Sequence, residues 1–358
     1  NGNDTVRNAK FVVRNNQQPG IWSLKLVTIT SNGCTDTISK PITVHPSPKA
    51  DFSINNPAQC FNEQNFVMSD VSSVMGDSIT QRIWINGNDT VRNAKFVVRN
   101  NLQPGIWSLK LVTITSNGCT DTAIKPITVL PSPKADFSIN NPAQCFNEQS
   151  FVMSDESSVI GDSITQRIWI NGNDTVRNVK FVVRNNLQEG ANNQKLVTIT
   201  SNGCSDTATK MLTVFASPFA SFAVNDSTQC LDSNFFDFTN LSVISNGTMS
   251  YMWSFDDKTF SNRDITSYSF KKWAKYPVRL VAMSDKNCPD TAEKEVFVFP
   301  NPTAAFVYLN NCLEDTMWFF DKSGTDSGII QQWYWDFKNG KTSTMQNPFT
   351  MYYDSGQK

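Results

Sequence analysis

Histidine is nearly absent from this chain: one residue, His45, in 358. That excludes repeated Ser/His/Asp or Cys/His catalytic arrangements, and no glycine-rich phosphate cradle stands in their place. Charge imbalance is absent as well. The 31 basic and 32 acidic residues are spread evenly and leave a net charge of −1, so there is no electrostatic footprint for nucleic acid or acidic lipid. No apolar run approaches the roughly 18 residues that a membrane-spanning helix needs. Carboxylates are scattered among turns, with no Asp/Glu pair set against an apolar surround. These residues are therefore not expected to form an enzyme, to bind nucleic acid or to insert into a membrane.

What is present is repetition. The 45 residues from Asn1 to His45 recur as Asn86 to Leu130 with four substitutions, and again as Asn171 to Phe215. The linker Pro46-Ser47-Pro48-Lys49-Ala50-Asp51-Phe52 returns at Pro131 to Phe137, and weaker copies open at Ser217-Pro218 and Pro300-Asn301-Pro302. Solenoid and propeller repeats have periods of about 20 to 50 residues and cannot bury a core alone. The period here is 85 residues, long enough for each copy to fold by itself. The expected organisation is the C-terminal half of a repeat at 1–45, complete repeats at 46–130 and 131–215, a divergent repeat at 216–299, and the N-terminal part of another at 300–358. Read this way, the chain is a piece of something longer.

Strong helix formers are few, and Val, Ile, Thr, Phe and Trp recur in short alternating runs bounded by Asn, Gly, Pro and Asp. In the copy 46–130, period-two alternation places strands at 49–54, 65–69, 81–85, 95–99, 109–115 and 120–129. Asn86-Gly87-Asn88-Asp89 and Asn117-Gly118 are the turns. The total is about seven strands, the count of an immunoglobulin-like sandwich. The fold class is thus all-β, a tandem array of two-sheet sandwiches.

Residues in the divergent copies resemble a known family, the PKD (polycystic kidney disease) domain, as found in long cell-surface proteins of Bacteroidota. Tyr251-Met252-Trp253-Ser254-Phe255-Asp256-Asp257 and Trp333-Tyr334-Trp335-Asp336-Phe337-Lys338-Asn339-Gly340 are similar to its Trp-Asp-Phe-Gly-Asp-Gly signature. Asn347-Pro348, Tyr352 and Gly356 resemble its later spacing. In the near-identical copies the signature is reduced to Ile83-Trp84-Ile85-Asn86-Gly87-Asn88-Asp89. The resemblance implies arrays like those of gliding-motility adhesins and other type IX-secreted surface proteins.

Trp84, Trp169, Trp253 and Trp335 fall on the third expected strand, where a large ring fills the space between sheets. The Asp and Asn residues after each Trp carry the oxygen ligands that Ca²⁺ uses, but the glutamates and repeated Asp-x-Asp spacing of a strong site are missing. No cofactor is expected. Trp22 and Trp107 are candidate contact residues, with core packing the more common fate of such a Gly-x-Trp-x-Leu strand.

The eight cysteines carry the clearest chemistry. Each complete copy has two: Cys60 and Cys119, Cys145 and Cys204, Cys230 and Cys288. Cys34 and Cys312 belong to the partial copies. Fixed positions in a chain that reads as secreted suggest disulfides. Zinc lacks both a Cys-x-x-Cys pair and histidines. Cys60 lies between the first two expected strands and Cys119 opens the last one, so a strand of about ten residues would hold them roughly 33 Å apart, against 4.4–6.8 Å between Cα atoms for a disulfide. The preferred pairing crosses the junction between copies, Cys60 with Cys204 and Cys145 with Cys288. Partners for Cys34, Cys119, Cys230 and Cys312 would then lie outside the fragment. Pairing within a copy and free thiols are the alternatives.

A second recurring detail is Asp followed by Thr or Ser and a small or aliphatic residue. It resembles the O-glycosylation sequon of Bacteroidota extracytoplasmic proteins and marks Thr5, Thr37, Ser78, Thr90, Thr122, Ser163, Thr175, Thr207, Ser227, Thr291 and Thr316. The plainer reading is a turn entering a strand. Asn-x-Ser/Thr occurs at Asn3, Asn88, Asn173, Asn225, Asn240 and Asn246, and is informative only beside an N-glycosylation machinery.

The resulting expectation is a stalk or filament segment of a large extracellular, cell-surface adhesin that spaces a distal binding region from the cell. Its partners would be neighbouring repeats, other copies in a filament or bundle, and surface glycans or proteins reached through regions outside the fragment. The alternatives are a spacer array of a secreted polysaccharide- or protein-degrading enzyme, or an array that itself binds glycan or protein. One irregularity stands out: Gly105-Ile106-Trp107-Ser108-Leu109 becomes Gly190-Ala191-Asn192-Asn193-Gln194 in the next copy. Losing three apolar side chains makes 131–215 the expected least stable complete repeat.

Overall fold

Alternation in the sequence reappears as alternation in burial. Along the strand Gly105–Thr115, Leu109, Leu111, Thr113 and Thr115 are enclosed while the residues between them are only partly covered. This is what a pleated strand with one face on a core requires. The computed structural model describes residues 5–15, 17–255, 260–309 and 312–353. Asn1, Asn3, Asp256, Asp257 and Gly356, all named above, lie outside the described residues.

The chain divides into two compact units, residues 1–139 with 153–182 and 193–210, and residues 140–152 with 183–192 and 211–358. In the first unit, residues 46–130 form two sheets. The smaller has the order Phe52–Ile54, Phe66–Asp70, Phe96–Arg99, and the larger the order Ala58–Cys60, Thr120–Leu130, Gly105–Thr115, Ile79–Asn86, Asp89–Arg92. All neighbours are antiparallel except Ala58–Cys60, which runs parallel to the end of Thr120–Leu130. Between the sheets lie Phe52, Phe66, Met68, Trp84, Val97, Leu109, Leu111, Ile127 and Val129. Full burial of such a side chain contributes about 1.5–3 kcal/mol.

The second unit contains the same arrangement at residues 216–299. Its sheets have the orders Phe222–Val224, Phe236–Asn240, Ile265–Tyr268 and Thr228–Cys230, Pro289–Phe299, Ala274–Ser284, Met249–Ser254, Phe260–Ser261. The core is more aromatic, with Phe222, Phe236, Phe238, Trp253, Phe255 and Phe270 enclosed together. The strands of the copy 131–215 recur in the same sequence order, from Phe137–Ile139 to Ser205–Phe215, and are distributed between the two units.

Two strand assignments need correction. The first strand starts at Phe52 rather than Lys49, which makes only an isolated bridge to Ser73. Each complete copy has eight strands rather than seven, because Ala58–Cys60 and Asp89–Arg92 also pair. With three and four residues, these are too short to display a period.

Candidate functional site: the disulfide-linked junction

The parallel strand Ala58–Cys60 decides where the first cysteine lies. Cys60 is opposite Leu130, at the far end of the last strand from Cys119, which precedes Thr120. An eleven-residue strand therefore separates the two cysteines of one copy, and their Cα atoms cannot reach disulfide distance. Cys60 is thus part of a strand and not of a loop, but the separation argued from the loop is the same.

The structure joins Cys60 to Cys204, with Cα atoms 5.5 Å apart, within the first unit. It joins Cys145 to Cys288 at the same Cα distance within the second. Cys204 and Cys288 are completely buried. Cys34, Cys119, Cys230 and Cys312 form no disulfide among the described residues, and the Cys119 thiol points to the His45 carbonyl at 4.0 Å.

Beside each bridge stands a polar clip that sequence reading missed. Asn62 Nδ2 donates to the Ser205 carbonyl at 2.8 Å, Ser132 Oγ donates to Asn62 Oδ1 at 2.7 Å, and the Asn62 amide donates back to Ser132 Oγ at 3.2 Å. Asn147 repeats the pattern with the Pro289 carbonyl at 2.8 Å and Ser217 at 2.8 and 3.2 Å. One side chain thus ties the loop after the first cysteine, the linker serine and the residue after the second cysteine. At the equivalent place in the divergent copy the Asp232 amide donates to Asn301 Oδ1 at 3.2 Å. The available signal was the recurrence of Cys-Phe-Asn with Pro-Ser-Pro.

A second set of contacts orients the linker. Asp121 Oδ2 accepts from the Ala50 amide at 2.8 Å, Asp206 Oδ2 from Ala135 at 2.8 Å and Asp290 Oδ2 from Ala220 at 2.7 Å. These carboxylates belong to the Asp-Thr tripeptides, so the Asp has a structural task whatever happens at the hydroxyl. Asp77 similarly accepts from Ser116 Oγ, from Asn117 Nδ2 at 2.9 Å and from the Ser78 amide at 2.6 Å. Those bonds hold its carboxyl far below the usual carboxylate range. Asp162 is lowered in the same way by Ser201, the Ser163 amide and Asn202. For Asp70, burial opposes ionisation, yet hydrogen bonds from Ser72 and the Arg82 guanidinium at 2.5 Å prevail and its pKa is lowered. Asp155 is lowered by the same balance with Ser157 and Arg167.

Of the eleven hydroxyls, ten are exposed and Thr316 is half-buried. Among the asparagines of Asn-x-Ser/Thr, Asn88, Asn173, Asn225 and Asn246 are exposed and Asn240 is half-buried. Trp84, Trp169 and Trp253 are enclosed. Each indole donates to a carbonyl ten residues on: Ala94 at 2.9 Å, Val179 at 3.1 Å and Arg263 at 2.8 Å. Trp335 keeps that bond, to Met345 at 2.8 Å, while half-buried. Trp107 is half-buried against the core of its copy and bonds the Gln103 carbonyl at 2.9 Å. Among the described residues no group of three or more His, Cys, Asp or Glu could hold a metal ion.

The irregular strand Gly190–Thr200 is better compensated than its composition suggests. Ile106, lost first, is 78% exposed. Asn192 Nδ2 replaces the Trp107 indole as donor, reaching the Gln188 carbonyl at 2.9 Å. Gln194, as buried as Leu109, donates to Asn171 Oδ1 at 3.0 Å. In the preceding copy Asn86 Oδ1, opposite Leu109, is buried without a partner.

The fold and junction define a class: an all-β protein with immunoglobulin-like, PKD-type sandwich domains in tandem. Residues 215–298 match the PKD domain family model. The PKD1 domain of Vibrio anguillarum Epp aligns at 25% identity over 23% of this chain and 93% of its own, with a TM-score of 0.21. The PKD1 domain of the Vibrio cholerae metalloprotease PrtV aligns at 26% identity over 23% and 96%, also with a TM-score of 0.21. Fibronectin(III)-like modules of Clostridium thermocellum CbhA align at 14% identity over 46% and 95%, with a TM-score of 0.25. No curated protein matches the chain.

Proposed function

We propose that this chain is a stalk segment of a large extracellular surface adhesin, spacing a distal binding region from the cell. The observation that carries the reading is the covalent link from one 85-residue copy to the next, repeated with its asparagine clip at Cys60–Cys204 and Cys145–Cys288. A bridge between sandwiches restricts their relative rotation, which a spacer needs and a set of independent binding modules does not. Disulfides also fit an oxidising, extracellular setting. The exposed Asp-Thr and Asp-Ser hydroxyls support O-glycans on the outside of the array. The resemblance of the signature at Trp253 and Trp335 supports the finer setting, a type IX-secreted, gliding-motility type protein of Bacteroidota with copies in a filament.

Small-angle scattering of the purified chain beside a variant with Ser at 60, 145, 204 and 288 tests the spacer role. The native chain is expected to give a narrow distribution of interatomic distances, and the variant a broad one with the same sandwich content by circular dichroism. Equal distributions, or tight binding of the native chain on a glycan array, would sink the reading.

A further inference from the structure

The two bridges overlap along the sequence. Cys60–Cys204 spans 144 residues and Cys145–Cys288 spans 143, and each loop contains one cysteine of the other. We infer that this overlap gives the chain a redundant covalent path for tension, in which residues 145–204 are traversed backwards. Tension arriving at Cys60 crosses to Cys204, returns along the polypeptide to Cys145, crosses to Cys288 and continues toward the C-terminus. The segments 60–145 and 204–288 run beside this path and are each about 25 residues longer than the stretch 145–204, so they stay slack at full extension.

Two of the Pro-containing linkers, 131–137 and 216–219, lie on the slack segments. So do the strands from Phe66–Asp70 to Thr120–Leu130 in one copy and from Phe222–Val224 to Ala274–Ser284 in another. A pull on the ends therefore cannot draw these strands out to full length. The asparagine clips stand at the two points where tension leaves the backbone, Asn62 two residues after Cys60 and Asn147 two after Cys145.

The path lengths are distinctive. At about 3.5 Å per residue, an unbridged chain of this length extends to ~1,250 Å, whereas both bridges leave about 190 residues on the path, or ~650 Å. With either bridge alone, the path grows by only about 25 residues, or ~90 Å, because the surviving loop still bypasses most of the same chain. Two loops lying one after the other would behave additively, each loss adding ~500 Å. Overlap makes one bridge nearly as protective as two. The stalk reading gives this path its purpose, but the path itself depends only on which cysteines pair.

Optical-tweezers extension of the whole chain, held by peptide tags at both termini, tests it. The proteins are the native chain, Cys60→Ser with Cys204→Ser, Cys145→Ser with Cys288→Ser, and the four-serine variant. The native chain is expected to stop at about half the extension of the four-serine variant, with both two-serine variants within ~100 Å of native. A native chain as long as the four-serine variant, or two-serine variants that each lengthen by ~500 Å, would overturn the inference. The readout is the length of unfolded polypeptide, so a variant with weakened sandwiches is equally informative. A chain that shows the short path yet binds glycan tightly would remove the stalk reading and leave the tension path standing.

Discussion

Two hairpins of nearly the same sequence meet different fates in this molecule. Gly20–Ile29 pairs with Thr35–Val44 in the register that Gly105–Thr115 uses with Thr120–Leu130, Trp22 opposite Ile42 as Trp107 is opposite Ile127. Both indoles donate to the carbonyl four residues back, Gln18 at 2.8 Å and Gln103 at 2.9 Å. Yet Leu24 is 50% exposed where Leu109 is 1%, and Leu26 is 59% exposed where Leu111 is 0%. The later hairpin is flanked by Ile79–Asn86 and Ala58–Cys60 in a five-stranded sheet, whereas the earlier one is a two-stranded sheet among the described residues. Strand, register and turn are therefore properties of the local sequence, and burial is a property of the strands that flank it.

The comparison is broken most sharply by truncating matched leucines. Leu111→Ala should destabilise its sandwich by about 2–5 kcal/mol, while Leu26→Ala, in a hairpin with no flanking strand among the described residues, should change stability by less than about 0.5 kcal/mol. Peptide-resolved hydrogen exchange on the whole chain reads both, and comparable acceleration at the two sites would show that the hairpins are equally packed.

A smaller effect is expected where the copies diverge. Gln194→Ala leaves the half-buried Asn171 without its donor and should cost about 0.5–1.5 kcal/mol. Leu109→Gln, facing the unpartnered Asn86, should cost less than Leu109→Ala. Denaturant unfolding of the three variants checks this, and a Leu109→Gln penalty as large as that of Leu109→Ala would mean that Asn86 gains nothing from the new donor. The hydrogen bonds of Asn192 and Gln194 offset part of the apolar burial that 131–215 lacks.

The smallest effect is on pH. Asp70, Asp77, Asp155 and Asp162 all have lowered pKa values in the folded chain. Their stabilisation is complete above the ordinary value of 3.8 and is lost as pH falls through the lowered values. Protection from exchange in strands Phe66–Asp70 and Phe151–Asp155, corrected for the intrinsic rate at each pH, should therefore fall progressively below about pH 4, with Asp70→Asn flattening the response at the first of them. An unchanged acid profile in Asp70→Asn would show that the Ser72 and Arg82 bonds contribute little.

Much of this was readable beforehand. Period-two runs place Gly105–Thr115 and Thr120–Leu130 to within a few residues, and the expectation of a core ring at Trp84, Trp169 and Trp253 matches their burial. The strand Ala58–Cys60 escaped because three residues carry no period, and it is the element that places Cys60 beside the linker. Asn62 escaped for another reason: its two partners, Ser132 and the Ser205 carbonyl, are brought to it only by the junction.

By itself the sequence determined the class of element, the turns, the 85-residue period and the spacing of the cysteines, since each depends on side-chain alternation or on residues a few positions apart. Only the tertiary structure decided that Leu109 is core, that Asn171 and Gln194 satisfy one another, and that Asn62 and Asn147 clip the bridges. Those outcomes require groups far apart in the chain to meet, and the free energy of a buried contact belongs to the pair and to the water they exclude, not to either residue alone.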